Sequence, residues 1–167
     1  ISGGADAARF AIDPSSGALT LVAAPDYEAP ADAGANNVYD VIVQASDGTL
    51  TDTQAIAVTV TPANDNAPVI SSNGGGATAA VSVAENQTTV TTVTATDADL
   101  PAQTLTYSIS GGADAALFTI NASTGALTFV AAPNFEAPTD SGSNNVYDVT
   151  VQVADGIGGT DTQAIAV

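Results

Sequence analysis

The sequence predicts an all-β protein built as tandem immunoglobulin-like Greek-key β-sandwiches. Three observations carry this expectation: an internal repeat with a period of 108 residues, short runs of alternating or β-branched residues bounded by turn signals, and no segment with a helical period. The fuller repeat is expected to hold seven strands. Residues 79–84 alternate, with Val81 and Val83 on one face. Residues 90–96 are rich in Val and Thr, which suit a pleated surface. Residues 105–110 alternate Leu, Tyr and Ile. Residues 117–120 and 126–130 flank a hairpin loop that ends at Gly125, where the missing Cβ permits positive φ. Residues 146–153 set Tyr147, Val149, Val151 and Val153 against polar neighbours with a period of two, and 160–167 form the last strand. Seven such strands in about 100 residues are the mark of this sandwich.

The repeat defines the organisation. Residues 1–6 recur as 109–114 and 36–40 recur as 144–148, both at an offset of 108. Between 1–48 and 109–156, 34 of 48 positions are identical. One residue is inserted after Gly156, so Asp52 aligns with Asp161 and 55–58 with 164–167. We therefore expect the C-terminal part of one repeat at 1–61, a linker at 62–68 and a nearly complete second repeat at 69–167, cut from a longer tandem chain. The partial repeat alone would leave apolar faces in water. Its cover is expected from elsewhere in the same chain or from a neighbouring one.

Composition narrows the function. The 167 residues carry 18 acidic side chains against a single basic one, Arg9, for a net charge of −17. A chain with one cation cannot neutralise phosphates, so nucleic acid is not a partner. Cys and His are both absent, which removes thiolate and imidazole metal sites, disulfides and Ser-His or Cys-His nucleophiles. Paired carboxylates can hydrolyse glycosides, but no Trp, His or Lys lines a sugar cleft, so an enzyme is not expected. With 45% hydrophobic residues and a mean hydropathy of +0.23, the chain is too apolar for a disordered acidic tail. No run approaches the roughly 18 apolar residues of a membrane span.

The acids are unevenly placed. Fifteen of the 18 are Asp, and the three Glu are Glu28, Glu85 and Glu136. Acids and Asn gather in short groups: Asp26-Tyr27-Glu28, Asn64-Asp65-Asn66, Ala84-Glu85-Asn86, Asp97-Ala98-Asp99, Asn134-Phe135-Glu136, and an Asp-Gly pair at Asp47 and Asp155. In extended backbone, residues i and i+2 point the same way, so each x-any-x group can aim two oxygens at one point. Calcium takes six to eight oxygen ligands, and these groups supply that chemistry. Of the other Asp residues, Asp6, Asp13, Asp32, Asp52, Asp114, Asp140 and Asp161 are expected on solvated turns. Tyr39 and Tyr147 are expected in the core with their hydroxyls satisfied at a sandwich corner.

Taken together, these groups resemble the cadherin repeat family, in particular the Ala/Thr/Asp-rich cadherin-like tandem repeats of large bacterial surface and secreted adhesin-like proteins. Ala84-Glu85-Asn86 resembles the family's Pro-Glu-Asn, and Asp97-Ala98-Asp99 its Asp-x-Asp. Asp26-Tyr27-Glu28 and Asn134-Phe135-Glu136 resemble its Asp-Arg-Glu. Ala45-Ser46-Asp47-Gly48 and Val153-Ala154-Asp155-Gly156 resemble its Ala-x-Asp-x-Gly, and Asn64-Asp65-Asn66-Ala67-Pro68 its linker.

The resemblance implies sandwiches of cadherin type with Ca2+ held at the junction between repeats. It assigns Asp26, Glu28, Asn64, Asp65, Asn66, Asp97, Asp99 and Asp155 to one junction. Glu85, Asn134 and Glu136 go to the next, and Asp47 to the previous one. Pro62 stands where the family's linker has an Asp, and Asn134 replaces an acid. With no Trp, adhesion by strand exchange has no anchor. Carboxylates crowded to about 6 Å repel by roughly 0.7 kcal/mol per pair in water, and divalent ions relieve that repulsion. The implied function is a calcium-rigidified extracellular or cell-surface spacer in adhesion, partnered by adjacent repeats of its own chain. The alternative is a structural subunit of a filament or surface layer, partnered by identical chains.

Overall fold

The computed structural model describes all 167 residues. They divide into two compact units, Ile1–Ala63 and Asn64–Val167. No helix is long and apolar enough to cross a membrane. The only helical turns are two three-residue 3-10 segments, Ala7–Arg9 and Ala115–Leu117.

The first unit holds four strands in two antiparallel pairs. β1 (Phe10–Ile12) pairs with β2 (Leu19–Leu21), and β3 (Val38–Ser46) pairs with β4 (Thr51–Thr59) over nine residue pairs. An isolated bridge joins Gly3 to Ile42. The buried core is three residues, Phe10, Tyr39 and Val41. Leu19, Leu21, Ile56, Val58 and Val60 pack against it only partly buried.

The second unit is a sandwich of two facing sheets. Its strands are β5 (Val69–Ile70), β6 (Thr78–Ala80), β7 (Thr89–Thr92), β8 (Ala95–Thr96), β9 (Thr106–Gly111), β10 (Phe118–Ile120), β11 (Ala126–Phe129), β12 (Asp148–Ala154) and β13 (Thr160–Ala166). One sheet runs β6-β13-β12-β9 and the facing one β10-β11-β7, with β5 and β8 as a short extra pair. The chain leaves the first sheet at β9, makes a hairpin in the second, and returns at β12, which is Greek-key connectivity. The fold is all-β and immunoglobulin-like, as the sequence predicts.

Ten buried residues from both sheets form the core, among them Val93, Leu127, Val149, Val151, Val153 and Ile165. β12 buries every second residue, so its period of two is realised. Phe118 stacks on Phe129 at 4.6 Å between centroids, and Phe129 meets the edge of Tyr147 at 5.2 Å. The Tyr147 hydroxyl accepts from the Thr139 amide at 3.3 Å, and the Tyr39 hydroxyl from the Ala31 amide at 3.1 Å. Gly125 sits at φ +70, and a Cβ there would strike the Val93 carbonyl oxygen. Only glycine lets the Val93 amide reach the Gly125 carbonyl at 2.9 Å.

Three details differ from the sequence reading. The strand expected at 90–96 is broken into β7 and β8, with the Val93 amide bonded to Gly125 in the gap. The strand expected at 79–84 is shorter and pairs parallel with β13. β5, two residues long, was not expected; the Asp161 carboxylate accepts the Ile70 amide at 2.8 Å and holds it in place.

The expected solvated turns need a larger correction. Asp6, Asp32, Asp114 and Asp140 are buried. Asp6 accepts the amides of Ala33 and Asp40 at 2.7 and 2.8 Å, and Asp114 accepts those of Ser141 and Asp148 at 2.6 and 2.9 Å. Asp32 and Asp140 each gather amides from their own loops, including Asn37 and Asn145. Amides left open by the strand ladders, in the loops and at Asp40 of β3 and Asp148 of β12, are closed by these carboxylates, which explains their burial. Asp13 is exposed beside the β1–β2 turn, as expected, whereas Asp52 is exposed within β4 and Asp161 half-buried within β13, so neither sits on a turn.

Candidate metal centre

One edge of the second unit gathers its acidic groups. Asn64, Asp65 and Asn66 lie on the extended stretch before β5, Asp97 and Asp99 on the stretch after β8, and Asp155 at the start of the β12–β13 loop. Buried Pro68 and Ile70 fix the first stretch against the sandwich, and hydrogen bonds from Asn66 to Asp99 tie the second stretch to it.

Asp99 is the centre of the cluster and is 2% exposed. Its Oδ1 accepts from the Asn66 backbone amide at 3.1 Å and the Asn66 side-chain amide at 2.8 Å. Its Oδ2 accepts from the Gln103 side chain at 3.2 Å. Asp97 turns Oδ1 onto the Asp99 amide at 3.0 Å, while its Oδ2 is buried with no hydrogen-bond partner. Asp65 is exposed and accepts from the Asn66 side chain at 3.0 Å.

Asp155 accepts the amides of Ile157, Gly158 and Gly159 at 2.7 to 3.0 Å and the Asn64 side chain at 3.2 Å. The amide of Ile157 is the main reason its carboxyl lies below the usual 3.8; burial opposes the shift, and Asn64 and the two glycine amides add to it. The loop needs a glycine beside it, because a Cβ on Gly159 would strike the Asp155 carboxylate.

These groups offer carboxylate and amide oxygens and no imidazole or thiolate. That donor set suits a hard cation, and the orphaned Asp97 oxygen fits one as well.

Glu85, Asn134 and Glu136 are exposed on neighbouring loops of the second unit. The Glu85 carboxylate accepts the Phe135 amide at 3.1 Å, and Asn134 Oδ1 accepts the Glu136 amide at 2.9 Å. In the first unit, Asp26 Oδ1 accepts the amides of Glu28 and Ala29 at 2.9 and 3.1 Å. That closes a turn there, whereas the sequence reading had 26–28 extended with both side chains on one side. Asp47 sits at the β3–β4 tip and accepts the amides of Leu50 and Thr49 at 2.7 and 2.8 Å, which lower its carboxyl below the usual range.

The sequence reading missed Gln103. It lies four residues beyond Asp99, outside every acidic triplet. The only available signal was that calcium also takes amide oxygens, which makes any Asn or Gln near an Asp-x-Asp group a candidate.

Comparison with known proteins decides the family. The cadherin domain model matches residues 79–167, more than half of the chain. The chain belongs to the cadherin family. Mouse cadherin-related family member 3 is 29% identical over 163 residues, covering 93% of this chain but 19% of its own length. This cadherin chain therefore spans about a fifth of that relative. Among solved structures, the protocadherin gammaB4 extracellular domain is 28% identical with a TM-score of 0.62, over 94% of this chain and 23% of that one. Human protocadherin-24 EC1-2 shares the fold with a TM-score of 0.70 at 22% identity, over 99% of this chain and 79% of that one. The organisms among these are mouse and human, so the bacterial part of the expectation finds no support here.

Proposed function

We propose that this chain is an extracellular, non-catalytic cadherin module that binds Ca2+ and is stiffened by it, acting as a spacer in cell-surface adhesion. On this reading 1–61 is the C-terminal part of one repeat, 62–68 a calcium-binding linker and 69–167 a nearly complete second repeat. The observation that carries it is the oxygen-only cluster around Asp99 with the orphaned Asp97 oxygen, in a family whose domains generally bind calcium. Asn64, Asp65, Asn66, Asp97, Asp99 and Asp155 would hold the ion. The resemblance assigns Asp26 and Glu28 to the same role, Glu85, Asn134 and Glu136 to the following junction, and Asp47 to the preceding one. The bound ion supplies positive charge, which lets like-charged carboxylates converge without mutual repulsion.

The chain's own residues set the rest. Asp155 is held ionised by backbone amides, and Asn66 ties the linker to Asp99. Affinity should fall at about 10⁻⁴–10⁻³ M, the range of extracellular modules. Calorimetric titration tests this. Saturable binding in that range, with a matching rise in melting temperature, supports it. No heat at millimolar calcium refutes it.

A second reading, assembly of identical chains into a filament or surface layer, is favoured by the incompletely covered apolar side chains of the first unit, Leu19, Leu21, Ile56 and Val58. Concentration-dependent association in analytical ultracentrifugation would support it over the spacer.

A further inference from the structure

Gln103 is built into the cluster in a way the acidic triplets do not explain. Its side-chain NH2 donates to Asn64 Oδ1 at 2.5 Å and to Asp99 Oδ2 at 3.2 Å. Its carbonyl Oε1 is buried with no hydrogen-bond partner. An amide placed for structure alone would satisfy both ends, because a buried carbonyl without a partner carries a desolvation cost. Here one end is engaged and the other is idle.

The engaged end has a clear physical role. Gln103 donates to Asn64, and Asn64 in turn donates to Asp155 Oδ2 at 3.2 Å. Asn66 donates to Asp65 at 3.0 Å and to Asp99 at 2.8 Å. The positive ends of three neutral amides therefore stand between acidic oxygens that would otherwise repel. They act as a weak substitute for a cation. A metal ion arriving among these oxygens would face N–H groups with the wrong polarity. The last torsion of Gln is broad and roughly two-fold, so a half-turn exchanges its NH2 for its carbonyl at little conformational cost.

We infer that Gln103 is an exchangeable ligand of the cation site. Its NH2 bridges Asn64 and Asp99 when the site holds no ion, and its Oε1 turns to coordinate Ca2+ when it does. This rests on the calcium reading above and deepens it. It assigns a neutral amide oxygen to the site, which adds a ligand without adding to the charge of −17.

Two substitutions in the full 167-residue chain test the assignment. Gln103→Met keeps the length and removes both polar ends. It should weaken calcium binding at least about tenfold in calorimetric titration, the scale expected when a group orienting or ligating a metal is lost. Gln103→Glu removes the donors and adds a charge. It should lower the melting temperature in chelator, tighten calcium binding several-fold, and so widen the gap between the two melting temperatures. A purely structural amide would make both variants less stable with and without calcium alike.

A separate readout is the Gln103 side-chain amide in a two-dimensional 15N spectrum. Its NH2 resonances should shift as calcium is added, with the same midpoint as the calorimetry. Equal calcium affinity in wild type and Gln103→Met, or an amide that ignores the titration, overturns this inference alone. Absence of calcium binding in the wild type overturns it together with the calcium reading.

Discussion

Val43 and Val151 occupy the same place in the 108-residue repeat, yet Val151 is fully buried and Val43 only half-buried. The same contrast runs through the two units. Leu127 is 0% exposed and its counterpart Leu19 is half-buried; Ile165 is 1% exposed and Ile56 is half-buried. Gln163 is buried in a network with Asn73, Ser72 and Gly76, while Gln54 is exposed. The local sequence is nearly constant, so the difference lies in packing. Burial in the second unit comes from two sheets facing each other, and in the first the β3–β4 ladder has little to face. Some features survive without a full sandwich. Tyr39 and Tyr147 are both buried, and Asp6 and Asp114 bond the same two repeat positions, one in a loop and one in a strand. The aspartates need only neighbouring segments of chain, and each tyrosine needs only the hairpin packed on it, β1–β2 for Tyr39 and β10–β11 for Tyr147.

Several measurements would break or sharpen this contrast. The largest effect should come from the core. Leu127→Ala should cost about 2–5 kcal/mol in denaturant unfolding, and Leu19→Ala clearly less, because a half-buried side chain leaves no sealed cavity. Equal costs would mean that the first unit is as well covered as the second. Next, Gln163→Leu should cost about 1–3 kcal/mol by stranding the Asn73 side chain and the Ser72 and Gly76 carbonyls. Gln54→Leu should stay within about 0.5 kcal/mol of the parent.

Asp114→Ala and Asp6→Ala should each lose about 1–3 kcal/mol, and by similar amounts. Hydrogen exchange at the Asp148 and Asp40 amides, which these carboxylates hold, would report each loss locally. The smallest effect is that of acid. Backbone amides depress the carboxyls of Asp32 and Asp155, at Asn36 and Ile157 first, and those of Asp140 against its burial. A depressed folded value means that the unfolded chain binds more protons near and below 3.8. The stability these groups supply is thus complete above that pH and lost as pH falls through their folded values. Carboxyl NMR titrations of Asp32, Asp140 and Asp155 should show midpoints below 3.8; midpoints above it would refute the amide cages.

How far the sequence could be read follows the range of the forces involved. β12 was legible because Val149, Val151 and Val153 alternate and alternation sets burial on a strand. The hairpin at Gly125 was legible because a left-handed position needs glycine. β5 was not, since two residues carry no period and Asp161, 91 residues away, holds it. Buried Asp114 looked like a surface turn because its partners, Ser141 and Asp148, are 27 and 34 residues away. At the candidate site, the acids that meet on Asp99 were all named from spacing and resemblance. Gln103 was not, because an uncharged amide in a loop carries no pattern of its own.

The parallel pairing of β6 with β13 has a mechanical consequence. These are early and late strands of the same unit, side by side and pointing the same way. Pulling the unit from its two ends drags the two strands past each other along their length. The inter-strand bonds then resist together in shear and do not open one after another like a zipper. A module drawn taut on a surface would yield only when that whole patch slid at once.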